Sequence, residues 1–284
     1  MPVDFLSLST TPVDLLNGDI QVSQGTGFFY ARLFGEQGAV FLVTNYHVLT
    51  GHAPLEEKDP IGDNIVFQFH TSLESSAEVK KIRFPLFTRE RRPVWIQSAS
   101  VPDADLAVIP IPAKAYEGCT HAFISNRWIT ESNLKLRPTG AATLIGYPYG
   151  FYDRKNALPI WKTGSFASEP DVDFEGKPLL TIDISAFPGM SGSPAFAISY
   201  GTYETEDGNT TVGSSRKFVG IYASMQMLRE KKFLEEFHGA HPTYGITLAE
   251  SLQLGHVWKA RLVEELVASI DLSRWEAEVG SNLP

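Results

Sequence analysis

The chain has 284 residues, 43% of them hydrophobic, which is enough for one large or two small domains with well-buried cores and excludes disorder over its length. Its 24 basic and 33 acidic side chains leave a net charge of -9, which argues against a nucleic-acid or anionic-membrane surface, where a basic excess is needed. Cys119 is the single cysteine, so intrachain disulfides and thiolate metal clusters are excluded; with no membrane-span stretch and no leader-like apolar run behind Met1, the expected compartment is the reducing cytoplasm.

After a lead-in through Asn17-Gly18, residues 21–34 are rich in aromatic and β-branched side chains and contain Gly25-Thr26-Gly27. A turn at residues 35–38 and a second apolar run at 39–45 complete a predicted hairpin, and His47 stands where that strand stops. Short strands are predicted at 64–69, 79–86 and 94–98, then at 106–111 after the acidic turn Pro102-Asp103-Ala104-Asp105. The basic clusters Lys80, Lys81, Arg83 and Arg89, Arg91, Arg92 alternate with apolar residues and read as solvated strand faces. Residues 1–118 thus form a first all-β unit, and 119–140 bridge to a second unit, 141–284.

That second unit has predicted strands at 141–146, 158–167, 179–186, 195–200, 217–223 and 244–248, separated by glycine and proline turns. The spacing points to sandwiches or barrels rather than a parallel α/β sheet. Residues 225–238 are charged and helix-permissive, and read as an insertion between the last two strands. Residues 250–270 place Leu252, Val257, Ala260, Leu262, Val263, Leu266 and Val267 on one face of a predicted C-terminal helix.

The stretch Phe187-Pro188-Gly189-Met190-Ser191-Gly192-Ser193-Pro194 is a tight turn between two apolar strands. A serine there can expose its hydroxyl while nearby backbone N–H groups point the same way, as an acyl-transfer nucleophile needs. His47 and Asp105 also come from strand ends, and each alone reads as an edge or turn residue; their joint order His, Asp, Ser points to a triad. Asp103 is a rival acid, because residues two apart in an extended segment share a side, and Ser193 is a rival nucleophile. Cys119 and His121 are near in sequence, but such neighbours on a strand point past each other, which disfavours a thiol mechanism. His52, His70, His121, His238, His241 and His256 form no His-Glu-x-x-His pattern or tight ligand cluster, so neither metal nor cofactor is expected.

Seven collinear segments then carry a family likeness: Gly25-Thr26-Gly27-Phe28, residues 42–48, Asp105-Leu106-Ala107-Val108, residues 145–150, residues 183–194, Val219-Gly220-Ile221 and Tyr244-Gly245-Ile246. Over about residues 23–250 the chain resembles the chymotrypsin-fold serine peptidases, among them the high-temperature-requirement proteases and, through Ser191-Gly192-Ser193-Pro194, the glutamyl endopeptidases. The resemblance implies an all-β fold of two six-stranded antiparallel β-barrels with a C-terminal helix and the site in the cleft between barrels. His47 would be the general base, Asp105 its orienting acid and Ser191 the nucleophile of a serine endopeptidase that forms an acyl-enzyme on a protein or peptide substrate. The N–H groups of Gly189 and Ser191 would bind the oxyanion. The family pattern puts the acid directly before the apolar strand, favouring Asp105, and has a glycine where Ser193 falls.

The resemblance also implies a specificity pocket walled by Ser185, Ala186, Tyr222, Ala223 and Ser224. With no carboxylate at its base, a small or aliphatic substrate side chain is expected rather than Lys or Arg. Met190 stands where many secreted relatives carry an aspartate that pairs with a newly cut N-terminus, so activation by that route is not expected. The polar loop 201–215 and the segment 225–238 flank the expected cleft and are candidates for substrate choice or for a regulatory protein partner. A catalytically silent peptide-binding module and an esterase on the same scaffold are the competing readings.

Overall fold

Asn17 and Ile20 pair across a two-residue turn in which Gly18 takes φ +58°, and this turn joins the first two strands. The computed structural model describes residues 3–34, 37–72, 77–233 and 245–282. The first unit comprises the short helix α1 (Phe5–Ser9), strands β1 (Thr10–Asn17), β2 (Ile20–Phe34) and β3 (Gln37–Thr44), the single turn α2 (Tyr46–Thr50), and β4 (Asn64–His70), β5 (Val79–Pro85) and β6 (Ala107–Ile111). Its sheet runs β5-β4-β1-β2-β3-β6, and the two-residue β7 (Ile124–Ser125) adds parallel to β2 from within the bridging segment. The predicted strand at 94–98 is reduced to irregular links: Val94 N–H donates to Leu86 O at 3.0 Å, and Ile96 and Val108 exchange bonds of 2.8 and 3.0 Å. These links span the gap between β5 and β6.

After the short helix α3 (Arg127–Thr130), the second unit consists of β8 (Ala141–Gly146), β9 (Ile160–Phe166), β10 (Leu179–Asp183), β11 (Pro194–Glu204), β12 (Thr210–Phe233) and β13 (Gly245–Lys259), closed into a barrel in the order β10-β13-β12-β11-β8-β9. Helices α4 (Ala260–Ala268) and α5 (Leu272–Glu278) follow. No helix among the described residues is long and apolar enough to cross a membrane.

Two helical expectations are corrected. Residues 225–233 belong to β12 and pair with β13 from Met227↔Ser251 to Phe233↔Gly245; residues 234–238 lie outside the described residues. The expected helix at 250–270 begins only at Ala260, because 250–259 is the strand β13 that closes the barrel against β10 and β12. Asp271 then caps a separate helix by accepting the Arg274 N–H at 3.0 Å. The lead-in is likewise a strand, β1, whose Pro12 obscures it. Pro12 is tolerated because the ladder with β4 covers only residues 14–16, and the Thr11 hydroxyl accepts the Gln68 N–H at 2.8 Å beyond it.

Alternating side chains divide the interior into three cores. Phe29, Val40 and Leu42 face the core of the first unit with Val13, Leu15, Ile65 and Phe67. Their neighbours Phe28, Tyr30, Phe41 and Val43 face the other way and meet Phe196, Phe218, Ile221, Leu262 and Val263 in a core shared by both units and α4. A third core, with Leu144, Ile182, Val219 and Val257, fills the second barrel. Because both faces of β2 and β3 are buried, the two units are held as one body, and the residues at their facing strand ends are fixed relative to each other.

Phe218 is 1% exposed, with its ring 5.5 Å from Phe28 and 5.4 Å from Phe196. Phe218→Ala is expected to cost about 3–5 kcal/mol in urea unfolding. A loss below about 1 kcal/mol would mean that the shared core does not couple the units. A second stability test lies on β1. Burial pushes the Asp14 carboxyl above its ordinary value, with Lys81 offsetting part of the rise. A carboxyl raised on folding stabilises fully only below its unfolded pKa and loses that contribution as pH rises through the folded one. Asp14→Asn is therefore expected to raise the thermal midpoint at pH 7, and to lose that advantage below about pH 4.

Candidate active site

His47 is the second residue of α2, a single turn that ends when Gly51, at φ +78°, donates its N–H to His47 O at 2.8 Å. Asp105 lies just before β6, between Ala104 and Leu106, which are 1% and 0% exposed and so pin the backbone. One carboxylate oxygen of Asp105 is 2.5 Å from His47 Nδ1, and the other accepts the His47 backbone N–H at 3.0 Å. Asn45 Nδ2 also donates to Asp105 O at 2.5 Å. An ionised carboxylate can only accept, so Nδ1 carries a proton, and in the neutral imidazole Nε2 keeps its lone pair. The Asp105 side chain is 15% exposed and that of His47 is 32% exposed, so the imidazole is partly open to solvent.

The rival acid is separated from the site by a bend. Ala104 N–H donates to Val101 O and Leu106 N–H to Ala104 O, so residues 101–106 are not extended. Asp103 instead pairs with Lys177 Nζ at 2.6 Å.

Ser191 stands between Gly189, at φ +92°, and Gly192, at φ +88°. Gly192 cannot be replaced without disruption, since a Cβ there would lie 1.8 Å from Thr26 O. Ser191 Oγ donates to Ala223 O at 3.1 Å. Gly25 links this turn to the histidine: a Cβ on it would come within 2.6 Å of Val48, the residue after His47, and 3.2 Å of Ser191 O. Among the described residues no backbone carbonyl takes the N–H of Gly189 or Ser191, whereas Met190 N–H donates to Phe187 O and Gly192 N–H to Tyr222 O. The rival Ser193 is 0% exposed, and its hydroxyl is buried beside Gly146. Met190 is also fully buried, in the core of the second barrel, where an apolar side chain is required.

The five pocket residues divide by side-chain direction. Ala186 and Tyr222 pack into the barrel core, where burial pushes the Tyr222 hydroxyl up to about 12. Ala223 joins the shared core, while Ser185 and Ser224 are exposed. Ser185 Oγ approaches Gln253 Oε1 at 3.4 Å, and Ser224 Oγ lies 3.3 Å from His256 Nδ1. Gln253, at φ +58°, sits on a bulge of β13 and His256 lies next to it; both fall in the segment read as helix, which hid them from the sequence reading. Burial lowers the His256 pKa, with Glu175 acting against that. Exposed Tyr149 and Phe187 stand together beside the serine turn, ring centroids 5.9 Å apart, with Lys162 Nζ over the Phe187 ring.

Cys119 is not assembled with a histidine: burial raises its thiol pKa, Lys80 offsets part of that, and the His121 ring packs on Tyr116 and Phe123 instead. No group of three metal-ligating side chains is found among the described residues, and His238 and His241 lie outside them.

The family model for the trypsin-like peptidase domain matches residues 25–202, a span that contains His47, Asp105 and Ser191, and the chain belongs to that family. Its class is that of the serine endopeptidases, hydrolases of peptide bonds. No curated protein matches the chain. Similar solved structures include the Rv3671c protease of M. tuberculosis in an inactive form, at 16% identity and TM-score 0.44, covering 94% of this chain and 90% of that one. Another is the serine endoprotease from Yersinia pestis, at 13% identity and TM-score 0.46, covering 98% of this chain and 68% of that one.

Proposed function

We propose that the chain cleaves peptide bonds through an acyl-enzyme, with Ser191 as nucleophile, His47 as general base and acid, and Asp105 as the orienting carboxylate. The observation that carries this is the two-point hold of Asp105 on His47, through Nδ1 at 2.5 Å and the backbone N–H at 3.0 Å. It fixes the tautomer in which Nε2 can accept a proton. In the first step the Ser191 hydroxyl leaves Ala223 O by a rotamer change, gives its proton to Nε2, and its oxygen bonds to the scissile carbonyl carbon. The carbonyl electrons move to oxygen and are held by the N–H groups of Gly189 and Ser191. Collapse breaks the C–N bond, and the imidazolium protonates the leaving amine. Water, deprotonated by His47, then releases the acid and restores the serine.

The substrate is a protein or peptide chain with a small or aliphatic side chain before the scissile bond, in keeping with the absence of a carboxylate among the proposed pocket residues. The segments 201–215 and 225–238, the latter described only as far as residue 233, are proposed to meet a regulatory protein partner. A cytoplasmic location belongs to the same proposal and is checked by cell fractionation. The decisive test is labelling with a fluorophosphonate probe and locating the adduct by peptide mass. Adduct on Ser191, absent from Ser191→Ala and His47→Ala, is the expected result; labelling elsewhere, or none on the folded chain, would sink the assignment.

A further inference from the structure

We infer that Thr26, contributed by β2 of the first unit, is the positioning residue that holds the serine turn of the second unit in its oxyanion-binding shape; this rests on the reading of Ser191 as nucleophile. In a planar trans peptide the N–H points opposite to the preceding carbonyl, so the two oxyanion donors are aimed by the carbonyls of Pro188 and Met190. Pro188 O accepts the Tyr149 N–H at 2.6 Å, and Met190 O accepts the Ser193 N–H at 2.9 Å. Between these two peptides lies the Gly189–Met190 peptide, next to a glycine at φ +92° and so the easiest to rotate. Its carbonyl accepts the Thr26 hydroxyl at 2.7 Å, and the carbonyl of Ser191 accepts the Thr26 backbone N–H at 2.8 Å.

The direction of the Thr26 hydroxyl is not free. It already accepts the Tyr147 N–H at 3.1 Å, so its proton goes to Gly189 O. Thr44 Oγ1 donates to Thr26 O at 2.7 Å, and the residue is 0% exposed, so each of its polar atoms is engaged and none meets water. Met190, apolar and buried, has no charge with which to anchor the turn, and the threonine takes that task from the other unit. Without the hydroxyl, Gly189 O and Tyr147 N–H are both left buried and unpaired, a state relieved by rotating the Gly189–Met190 peptide and disturbing the donors on either side. The signal in the sequence is a hydroxyl residue between two glycines, Gly25-Thr26-Gly27, where the backbones of the two units approach closely.

The test compares the unsubstituted full chain with Thr26→Val, which keeps the shape and removes the hydroxyl, and Thr26→Ser, which restores it. The rate of fluorophosphonate acylation at Ser191 and the kcat and KM for a peptide substrate are measured together with the thermal midpoint. Thr26→Val is expected to slow acylation and lower kcat by about 10- to 100-fold with KM nearly unchanged, and Thr26→Ser to stay within about threefold of the unsubstituted chain. Should the valine variant not fold, Thr26→Ala against Thr26→Ser gives the same comparison. A valine variant acylated at the unsubstituted rate, or a serine variant as slow as valine, overturns the inference while leaving the nucleophile in place. If the unsubstituted chain itself takes no label at Ser191, the site reading and this inference fall together.

Discussion

Ser191→Ala is expected to lower kcat for peptide hydrolysis by about 10⁶-fold, and His47→Ala by a similar factor. The serine oxygen is the atom that bonds to the substrate, and it cannot do so at neutral pH unless its proton has somewhere to go. Because the two side chains act as one unit, the double variant is expected to be no slower than either single one. What remains in all three is catalysis by bound substrate and oxyanion donors, about 10³–10⁴-fold over water. Single-turnover hydrolysis of a peptide substrate, with the variants' concentrations set by absorbance and only the unsubstituted chain titrated by the fluorophosphonate, makes the comparison. Retention of more than about 1% activity in Ser191→Ala would move the nucleophile elsewhere. Ser193, fully buried, is not available to replace it. The folded state should be little affected, since the substitution removes from the hydroxyl a single hydrogen bond among the described residues, to Ala223 O at 3.1 Å.

Asp105→Asn is expected to reduce kcat by about 10⁴-fold while leaving the fold in place. The oxygen of the new amide can still accept the His47 backbone N–H, as one carboxylate oxygen does at 3.0 Å. Its NH₂ group, however, would face His47 Nδ1, now 2.5 Å from a carboxylate oxygen, and a donor facing a donor is repulsive. The imidazole then takes the other tautomer, with its proton on Nε2, and cannot accept one from Ser191. Kinetics and circular dichroism on the same preparation separate this from unfolding. The control is Asp103→Asn: that carboxylate is tied to Lys177 at 2.6 Å on the surface, so its replacement is expected to leave kcat within about twofold. Equal losses in the two variants would overturn the assignment of the acid.

These effects rest on the proposed site, whose residues come from two units. His47 and Asp105 belong to the first, Ser191 to the second, and Gly25 and Thr26 at the start of the buried part of β2 touch the serine turn directly. The shared core beneath them, with Phe28 and Phe218, ties the two sets of strand ends together. Helix α4 adds a brace, because Tyr30 donates to Glu264 at 2.6 Å and the same carboxylate pairs with Arg32. Trp275 of α5 donates its Nε1–H to Val94 O at 3.2 Å, so the end of the second unit also grips the irregular edge of the first.

Much of this was written in local sequence. Alternating apolar residues and glycine or proline turns are sufficient to mark most strands of both units, because period-two burial and turn chemistry act over a few neighbouring residues. The three strand-end contexts of His47, Asp105 and Ser191, with the glycines around the serine, were legible for the same reason. What depends on partners distant in the chain was not. The charged segment 227–233 becomes strand because it pairs with 245–251, and 250–259 becomes strand because it closes a barrel with 179–183; neither ladder can be read from propensity. Asp103 and Asp105 are equivalent by periodicity and part only at the bend of residues 101–106, and Ser193 differs from Ser191 only by which side of the turn is buried. The Gly25-Thr26-Gly27 pattern marks a close backbone approach but does not name its partner, since the carbonyl that Thr26 holds lies 163 residues away. Local chemistry thus determined the strands and the candidate groups, while long-range pairing and burial decided which of those groups meet.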